Sequence, residues 1–325
     1  MANVPVGVKN AQGEVVAQGR TDANGEFVVN VVSYVQTSAG KDYSMHPYTV
    51  NASFGGVDTS GYPGHDAEFS PAEKAVSVAV PEPTTVVIQT NVIVKYLLAA
   101  KATDPNGRIV PGANVVLMSA TGTSYSGTTN SQGIFSALVV AYIQTPSGKD
   151  VSMEPYSVTV TFPAQGEGYS GRAVFDPHVV SESVTVEADT VTVVKTGIIM
   201  YYELTVTAKN RFNASTPGVY LVITDAAGVI VADGPTGEGG TAVFEIVGYI
   251  QAADGTMDTG MNPYDVDASF EKNKGMPTSV DMSAGDVAVE VHELVEEFNW
   301  TMTITIALIG ALLLGIALVF IAKRD

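Results

Sequence analysis

The chain has 325 residues, enough for two or three domains, and its 32 Gly and 16 Pro are too few for a collagen or a disordered tail. Its 34 acidic residues outnumber 16 Lys and Arg, and this net charge of -18 argues against a nucleic-acid partner, because phosphate binding needs clustered basic side chains. The lack of cysteine excludes disulfides and thiolate catalysis and fits a prokaryotic cell exterior.

Three copies of one unit follow each other along the chain. A Tyr-x-Gln block returns at a period of about 107 residues, with Tyr34 and Gln36, Tyr142 and Gln144, and Tyr249 and Gln251. A Pro-Tyr block follows it each time, at Pro47 and Tyr48, Pro155 and Tyr156, and Pro263 and Tyr264. Because both blocks recur in the same order, they identify three repeats.

Each repeat consists of short alternating runs rich in Val, Thr, Ile and Tyr, separated by Gly, Asn, Asp and Pro. This pattern is typical of antiparallel strands with one buried face, and it predicts a two-sheet β-sandwich for every repeat. In repeat 2 the runs at 113–118, 136–143 and 157–162 are predicted strands. The fold class is therefore all-β, with three tandem β-sandwich repeats followed by one transmembrane α-helix.

The predicted boundaries follow the period of the blocks and the composition of the C-terminal part. They are repeat 1 at 1–90, repeat 2 at 91–196, repeat 3 at 197–292, a juxtamembrane segment at 293–300, a transmembrane helix at 301–322 and a cytoplasmic tail at 323–325.

Repeat 1 is predicted to lack its first strand, because Ala2-Asn3-Val4 matches Ala113-Asn114-Val115 and repeat 2 carries a further strand before that point. A sandwich without this strand exposes unpaired backbone and an apolar groove. The N-terminus also has no apolar segment that would direct export. We therefore expect the natural start of the protein to lie upstream of Met1.

Turns and junctions complete the prediction. Asn24-Gly25 is typical of a tight hairpin, since both residues tolerate positive φ.

The junctions around Asn91 and Gly197 are β-rich rather than Gly/Ser-rich or Pro-rich, so the last strand of one repeat should run almost directly into the first strand of the next. This predicts a stiff rod in which any hinge lies at Asn91 or Gly197.

The segment 298–322 contains no charged residue and is long enough to cross a bilayer as a helix. Three glutamates precede it and Lys323 and Arg324 follow it, so the positive-inside rule places the repeats outside the cell and the C-terminus in the cytoplasm. Small residues share one helix face at Ala307, Ala311 and Gly315, a spacing that predicts weak homo-oligomerisation.

Candidate site residues are few. The repeated Pro-Tyr pairs have two interpretations, a ledge for a ligand or packing where a strand begins, and packing is favoured because every repeat has them. His46 is interpreted as a solvated loop residue, since its counterparts are Glu154 and Asn262. Asp42 and Asp150 lie in loops for which two roles are considered, calcium binding and hydrogen bonding of the Asp side chain to the amides of its own turn. The second role is favoured. No catalytic residue, metal site or cofactor is predicted.

Two glycosylation acceptors are expected if the host has the machinery. They are Asn51 and Asn213, each followed by Ala-Ser.

Repeat 2 reads AKATDPNGRIVPGANVVL at 100–117 and TTNSQGIF at 128–135. There it resembles the carboxypeptidase regulatory-like domain, and its repeated blocks look like modules of archaeal surface proteins. Repeat 3 departs at its first turn, AKNRFNASTPG at 208–218. The resemblance implies an Ig-like or transthyretin-like sandwich, an exterior location and a non-catalytic accessory role.

The leading functional hypothesis is a non-catalytic stalk or spacer that presents the exterior part of a membrane-anchored protein. One alternative is an adhesion module that binds glycans or other surface proteins. Another is the accessory region of an enzyme whose catalytic domain lies upstream of Met1. An exposed aromatic cluster on repeat 1 would favour the binding module.

Overall fold

The structure, a computed structural model, describes residues 1–271 and 273–293, and every regular element in that part of the chain is a β-strand. The predicted transmembrane helix, the predicted tail, the juxtamembrane segment from residue 294 and the small-residue face at Ala307, Ala311 and Gly315 lie outside the described residues. Among the residues described, no helix is long and apolar enough to cross a bilayer.

Repeat 1 has seven strands, most of them short. They are β1 (Pro5–Lys9), β2 (Val15–Arg20), β3 (Val35–Thr37), β4 (Gly40–Asp42), β5 (Tyr48–Ser53), β6 (Asp66–Ser70) and β7 (Glu73–Val78). One sheet has the order β2-β1-β5-β7, while β3 and β4 form a separate two-stranded hairpin. Residues 27–34 alternate between half-buried and exposed side chains but form no strand.

Repeat 2 has nine strands. They are β8 (Asn91–Thr103), β9 (Asn114–Met118), β10 (Ser124–Thr128), β11 (Ile134–Thr145), β12 (Gly148–Asp150), β13 (Tyr156–Thr161), β14 (Arg172–Asp176), β15 (Val179–Val184) and β16 (Thr190–Lys195). One sheet has the order β10-β9-β13-β15 and the other β12-β11-β8-β16. The two sheets make the predicted sandwich.

The core of repeat 2 follows from the alternation of its strands, because successive side chains of a strand point to opposite faces. In β13, Tyr156, Val158 and Val160 are buried while the residues between them are half-buried. The facing sheet contributes Leu98, Ala100 and Val139, all fully buried. β8 is central in that sheet, antiparallel to β11 and parallel to β16.

Repeat 3 repeats this plan. Its strands are β17 (Gly197–Lys209), β18 (Tyr220–Thr224), β19 (Ile230–Pro235), β20 (Thr241–Gln251), β21 (Met257–Asp258), β22 (Tyr264–Ser269), β23 (Thr278–Val280) and β24 (Val287–His292). One sheet has the order β19-β18-β22-β23; in the other, β17 neighbours β20 and is parallel to β24.

Contacts divide the chain into two compact units. The first comprises Met1–Gly168, Ala173–Ile198 and Gln251–Thr256, and the second comprises Tyr169–Arg172, Ile199–Ile250 and the remainder from Met257. Repeat 1 and almost all of repeat 2 therefore belong to one unit, and most of repeat 3 belongs to the other. The three repeat boundaries themselves stay a prediction.

The predicted alignment at the N-terminus is wrong by two residues. Thr21 Oγ1 accepts a hydrogen bond from Val4 N, as Thr129 Oγ1 does from Ala113 N, so Val4 takes the place of Ala113. Asn3 then stands where repeat 2 has a glycine in the left-handed region, and its own φ is 62°. The short side chain of Asn tolerates this conformation, so Asn3 can take the place of a glycine. The match of Ala2-Asn3-Val4 to Ala113-Asn114-Val115 therefore paired residues that are not equivalent.

The predicted turn at Asn24-Gly25 is confirmed, but it does not join two paired strands. Gly25 has a φ of 80° and its N–H donates to Asp22 O, so the local turn is as expected. In repeat 2, however, the equivalent turn at Gly133 joins β10 to β11, which belong to different sheets. Turn residues fix a local reversal of the chain, but they do not fix which sheet the next strand joins.

Candidate functional site

The junction between repeats 1 and 2 is a single strand shared by both. β8 is 13 residues long, and its first part, from Asn91 to Lys95, is antiparallel to β6 of repeat 1. Its last part, from Leu98 to Thr103, is parallel to β16 of repeat 2. Asn91 is the first residue of β8 and pairs with Ser70, so the predicted hinge position lies at the end of this ladder.

Along one edge of β8 the paired strand changes from β6, whose ladder reaches Lys95, to β16, whose ladder begins at Leu98. Between these two ladders, side chains form hydrogen bonds with the backbone of β8. Leu97 N donates to Asp189 Oδ1 at 2.8 Å, and the other oxygen of Asp189 lies 3.2 Å from His65 Nδ1. Lys95 O accepts from His65 N at 2.9 Å. The second unit has the same device, since Glu203 N donates to Asp286 Oδ1 at 2.8 Å.

A Gly-Tyr-x-Gly motif that is not among the predicted site residues lies against the shared strand. A Cβ on Gly64 would be 2.8 Å from Val94 Cγ1 and 2.9 Å from Lys95 O, and the φ of this residue is 118°. In the second unit, a Cβ on Gly171 would collide with Tyr201 O in the same way. The motif occurs at 61–64 and again at 168–171, so its repetition was a signal available in the sequence.

Aromatic side chains fill the junction. Phe69 of β6 lies 5.8 Å from Phe54 and 6.0 Å from Tyr62, measured between ring centroids. This cluster is continuous with Val92 and Val94 of β8, both of which are buried. The hydrophobic core of repeat 1 therefore includes side chains that belong to the first strand of repeat 2.

The Pro-Tyr residues lie in the sandwich cores. The tyrosines are each 1% exposed, at Tyr48, Tyr156 and Tyr264. Their hydroxyls donate at 2.7–2.9 Å to backbone carbonyl oxygens of the facing chain, at Val32, Val140 and Val247. Burial raises the pKa of Tyr156 and of Tyr264 to about 12. A hydroxyl held in this way fastens one sheet to the other and is closed to a ligand.

The preceding prolines, Pro47, Pro155 and Pro263, all follow cis peptide bonds. The residue before each proline has a shared role, although its identity changes from repeat to repeat. Asn262 donates to Gly248 O at 2.8 Å and accepts from Met282 N at 2.8 Å. His46 contacts Ser33 O through Nε2 at 2.6 Å and accepts from Val80 N through Nδ1 at 3.0 Å.

The expectation that His46 is a solvated loop residue is therefore wrong. Its ring is half-buried and bridges two segments of repeat 1. Glu154 performs part of the same task by accepting from Val186 N at 2.8 Å. His46, Glu154 and Asn262 differ chemically, but each accepts a hydrogen bond from a backbone N–H at the equivalent place. Their shared role is therefore not visible from residue identity alone.

The Tyr-x-Gln residues do not form one uniform site. Lys41 lies over the ring of Tyr34 and Lys149 over that of Tyr142, each at 4.1 Å from the centroid. Gln36 and Gln144 donate to the backbone of the next residue. Gln251 differs, because its amide is buried and exchanges two hydrogen bonds of 3.0 Å with Asn106. In the second unit the ring of Tyr249 lies 6.4 Å from that of Tyr202.

The acidic loops satisfy their own amides. Asp42 accepts from Ser44 N and Asp150 from Ser152 N, both at 2.9 Å. The hydrogen bond from Ser152 N lowers the pKa of Asp150 below its ordinary value. In the described ranges, no group of three or more His, Cys, Asp or Glu side chains could hold a metal ion.

The two glycosylation acceptors occupy different surroundings. Asn51 is exposed but lies in the middle of β5, paired with Gly7 on one side and Ala75 on the other. Asn213 is exposed in a turn, with a φ of 61°. The turn leaves the backbone around Asn213 free of a ladder, so it is the more accessible acceptor.

Comparison with protein families and with curated proteins gives no match. The resemblance to the carboxypeptidase regulatory-like domain therefore stays a prediction.

Several solved structures are similar in fold to part or most of the chain. The Bacillus anthracis TIE protein is 14% identical over 90% of this chain, with a TM-score of 0.34, and the match spans 48% of that protein, so this chain covers about half of its length. The shaft pilin SpaA of Lactobacillus rhamnosus GG is 10% identical over 63% of this chain and 100% of its own, with a TM-score of 0.27. A variant of the major pilin subunit of Bacillus cereus is 13% identical over 91% of this chain and 95% of its own, with a TM-score of 0.28. At these scores the likeness carries no argument about function.

Proposed function

We propose that this chain is a non-catalytic stalk or spacer of a cell-surface protein. Its repeats would lie outside the cell, a transmembrane helix at 301–322 would anchor it, and residues 323–325 would lie in the cytoplasm. The proposal rests on the architecture of the junction between repeats 1 and 2 and on the charge pattern around the apolar segment.

The observation that carries the spacer role is the continuity of β8. A flexible linker would let two repeats move independently, whereas one strand that pairs with β6, β11 and β16 ties their relative positions to backbone hydrogen bonds. Burial of Phe69, Val92 and Val94 in one cluster adds an apolar contact across the junction. A module joined in this way resists bending, which is what a spacer requires.

Protease treatment of intact cells tests the location. Cells that express the full chain should lose the repeats to added protease while a cytoplasmic marker stays intact, and the chain should fractionate with membranes. A matched variant in which Lys323 and Arg324 are both replaced by Glu should weaken this orientation, because the charge bias of the flanks would be lost. If the repeats are cleaved only after lysis, the proposed location is wrong.

A second candidate, a binding module for glycans, is favoured by one feature of repeat 1. Tyr34 and Tyr43 are 41% and 48% exposed, and their ring centroids lie 6.0 Å apart. Exposed aromatic faces suit stacking against a sugar, and Lys41 adds a charged donor beside them. Repeat 2 has Val151 at the place of Tyr43. Glycan-array binding that is lost in Tyr43→Val would support this candidate, and an array without binding would remove it.

A further inference from the structure

The connection that follows the Pro-Tyr strand is different in repeat 3. In repeat 1 it covers residues 54–72 and contains β6, which pairs with β8 at the start of repeat 2. In repeat 2 it covers residues 162–178 and contains β14. In repeat 3 it covers only residues 270–277, and none of its described residues belongs to a strand. Among the residues described, repeat 3 therefore has no equivalent of the strand by which repeat 1 joins the repeat after it.

The first turn of repeat 3 also differs from its counterpart in repeat 2. In both turns the residue in the left-handed region donates its N–H to the carbonyl oxygen three residues before it. These residues are Gly107 in repeat 2 and Asn213 in repeat 3. Phe212 therefore stands where repeat 2 has Asn106, whose amide is hydrogen-bonded to Gln251. A large apolar side chain replaces a polar one that contacts the following repeat.

Glu293, the last residue that the structure describes, is held by both of these segments. One oxygen of its carboxylate accepts from Arg211 N at 3.1 Å, and the other accepts from Asn273 Nδ2 at 2.6 Å. Its own N–H donates to Lys209 O at 2.9 Å, and Gly275 forms a β-bridge with it. The first turn and the short connection of repeat 3 therefore lie together at the point where the chain leaves this repeat.

Residues 210–214 and 273–276 form what we call the end surface of repeat 3, and it is both apolar and basic. Phe212 and Met276 are 74% and 54% exposed. The guanidinium of Arg211 lies 4.8 Å from the centroid of the Phe212 ring, and Lys274 is exposed on the neighbouring segment. Such side chains suit the interface of a bilayer, because the apolar groups can enter the headgroup region while the cations meet lipid phosphates.

The sequence after Glu293 argues for the bilayer as the occupant of this surface. Only residues 294–300 separate Glu293 from the apolar segment 301–322. Even a fully extended connection of this length spans less than about 30 Å. An anchor at 301–322 would thus keep the end surface close to the lipid headgroups. A further repeat is a poor occupant, because the described part of the connection at 270–277 offers it no strand.

We propose that the end surface of repeat 3 binds the bilayer in which the chain is anchored. Phe212 and Met276 enter the headgroup region, and Arg211 and Lys274 contact lipid phosphate groups. This inference rests on the proposed transmembrane anchor and adds a second, peripheral contact to it. The last repeat is then held against the membrane and does not hang from a free tether.

The test uses the full chain in vesicles of phosphatidylcholine and phosphatidylglycerol, in which part of the lipid carries a nitroxide quencher high on the acyl chain. Because the chain has no cysteine, Ala214→Cys gives a single thiol for a fluorophore on the end surface. Ala227→Cys is the matched control, because Ala227 is also exposed in a tight turn but lies at the opposite end of β18. We expect quenching of the fluorophore at position 214 and none at position 227.

A second set of variants separates binding by the surface from proximity caused by the tether. With the fluorophore at position 214, replacing Phe212 and Met276 together by Ser should reduce the quenching about 2-fold or more, because the apolar area that enters the headgroup region is lost. Met257→Ser should leave it unchanged. Met257 is also 54% exposed, but it follows β20 at the opposite end of this strand from the end surface.

The outcomes distinguish failure of this inference from failure of the anchor. A chain that does not float with the vesicles would contradict the anchor and, with it, the end surface. A chain that floats with the vesicles but shows no quenching at position 214, or equal quenching at positions 214 and 227, would overturn only the inference. Quenching that survives the double Ser variant would assign the proximity to the tether alone. A glycan on Asn213 of the chain isolated from cells would also overturn the inference, because it would hold Phe212 away from the lipid.

Discussion

Repeats 1 and 2 share their sequence blocks but differ in one strand. Repeat 2 has β8 between β11 and β16, and its facing residue Val139 is fully buried. In repeat 1 the segment equivalent to β11 is an extended chain without a ladder along residues 27–34, and Val31 in it is half-buried. The same inward-facing pattern therefore has two outcomes, depending on whether a central strand is present.

This difference shows which of the two sheets of a repeat forms without the strand equivalent to β8. The sheet β2-β1-β5-β7 of repeat 1 matches β10-β9-β13-β15 of repeat 2 strand for strand. The tyrosine that fastens this sheet to the facing chain is equally buried in both repeats, at Tyr48 and Tyr156. The sheet that both repeats share thus forms without a strand equivalent to β8. The facing sheet forms its ladders only in repeat 2, where β8 is present.

The largest expected effect comes from placing a charge on the inward face of each repeat. Val139→Asp should destabilise repeat 2 by about 4 kcal/mol or more, because the carboxylate would be buried without a partner. Val31→Asp, at the equivalent position in repeat 1, should cost about 1 kcal/mol, because water reaches it. Urea unfolding monitored by hydrogen exchange of each repeat measures both. Equal losses would mean that Val31 is as well covered as Val139.

A smaller effect is expected at the junction. Gly64→Ala should cost about 2–3 kcal/mol, since the new Cβ would collide with Val94 and with the carbonyl of Lys95. Gly40→Ala is the matched control, because Gly40 has a similar φ of 126° but nothing within 4 Å of an added Cβ. The control should cost about 1 kcal/mol, measured by the same urea transition of repeat 1. A control as damaging as Gly64→Ala would remove the packing argument.

The residue before the proline gives a third test. His46→Asn should change the stability of repeat 1 by less than about 0.5 kcal/mol, because Asn262 makes the equivalent two hydrogen bonds in repeat 3. His46→Ala should cost about 1–2 kcal/mol, since Val80 N would lose its acceptor. Thermal unfolding of the two variants distinguishes them, and identical losses would contradict the shared role.

The smallest effect concerns the tyrosine hydroxyls. Tyr48→Phe and Tyr156→Phe should each cost about 1 kcal/mol, because each leaves one backbone carbonyl without its donor. Equal values would show that this contact is independent of the missing strand. Chemical denaturation of the single variants is sufficient, and a much smaller loss for Tyr48→Phe would mean that water replaces the hydroxyl in repeat 1.

The sequence predicted the all-β class, because strands with one buried face have a period that can be read directly. It did not predict which sheet each strand joins, since the turn at Gly133 has ordinary hairpin chemistry yet crosses between sheets. The Gly-Tyr-x-Gly motif repeats in the sequence and could have been found. The role of His46 could not, because His, Glu and Asn supply the same acceptor with different atoms.

Hydrogen exchange of the full chain tests the comparison most directly. Amides of residues 27–34 and 84–89 should exchange rapidly, while those of residues 135–142 and 190–195 should be protected, because only the latter pair with β8. Asn91–Lys95 should be protected together with Leu98–Thr103, as parts of one strand. Equal protection of the two pairs of segments would contradict the lack of a β-ladder along residues 27–34 and 84–89, and rapid exchange at Asn91–Lys95 would contradict the shared strand.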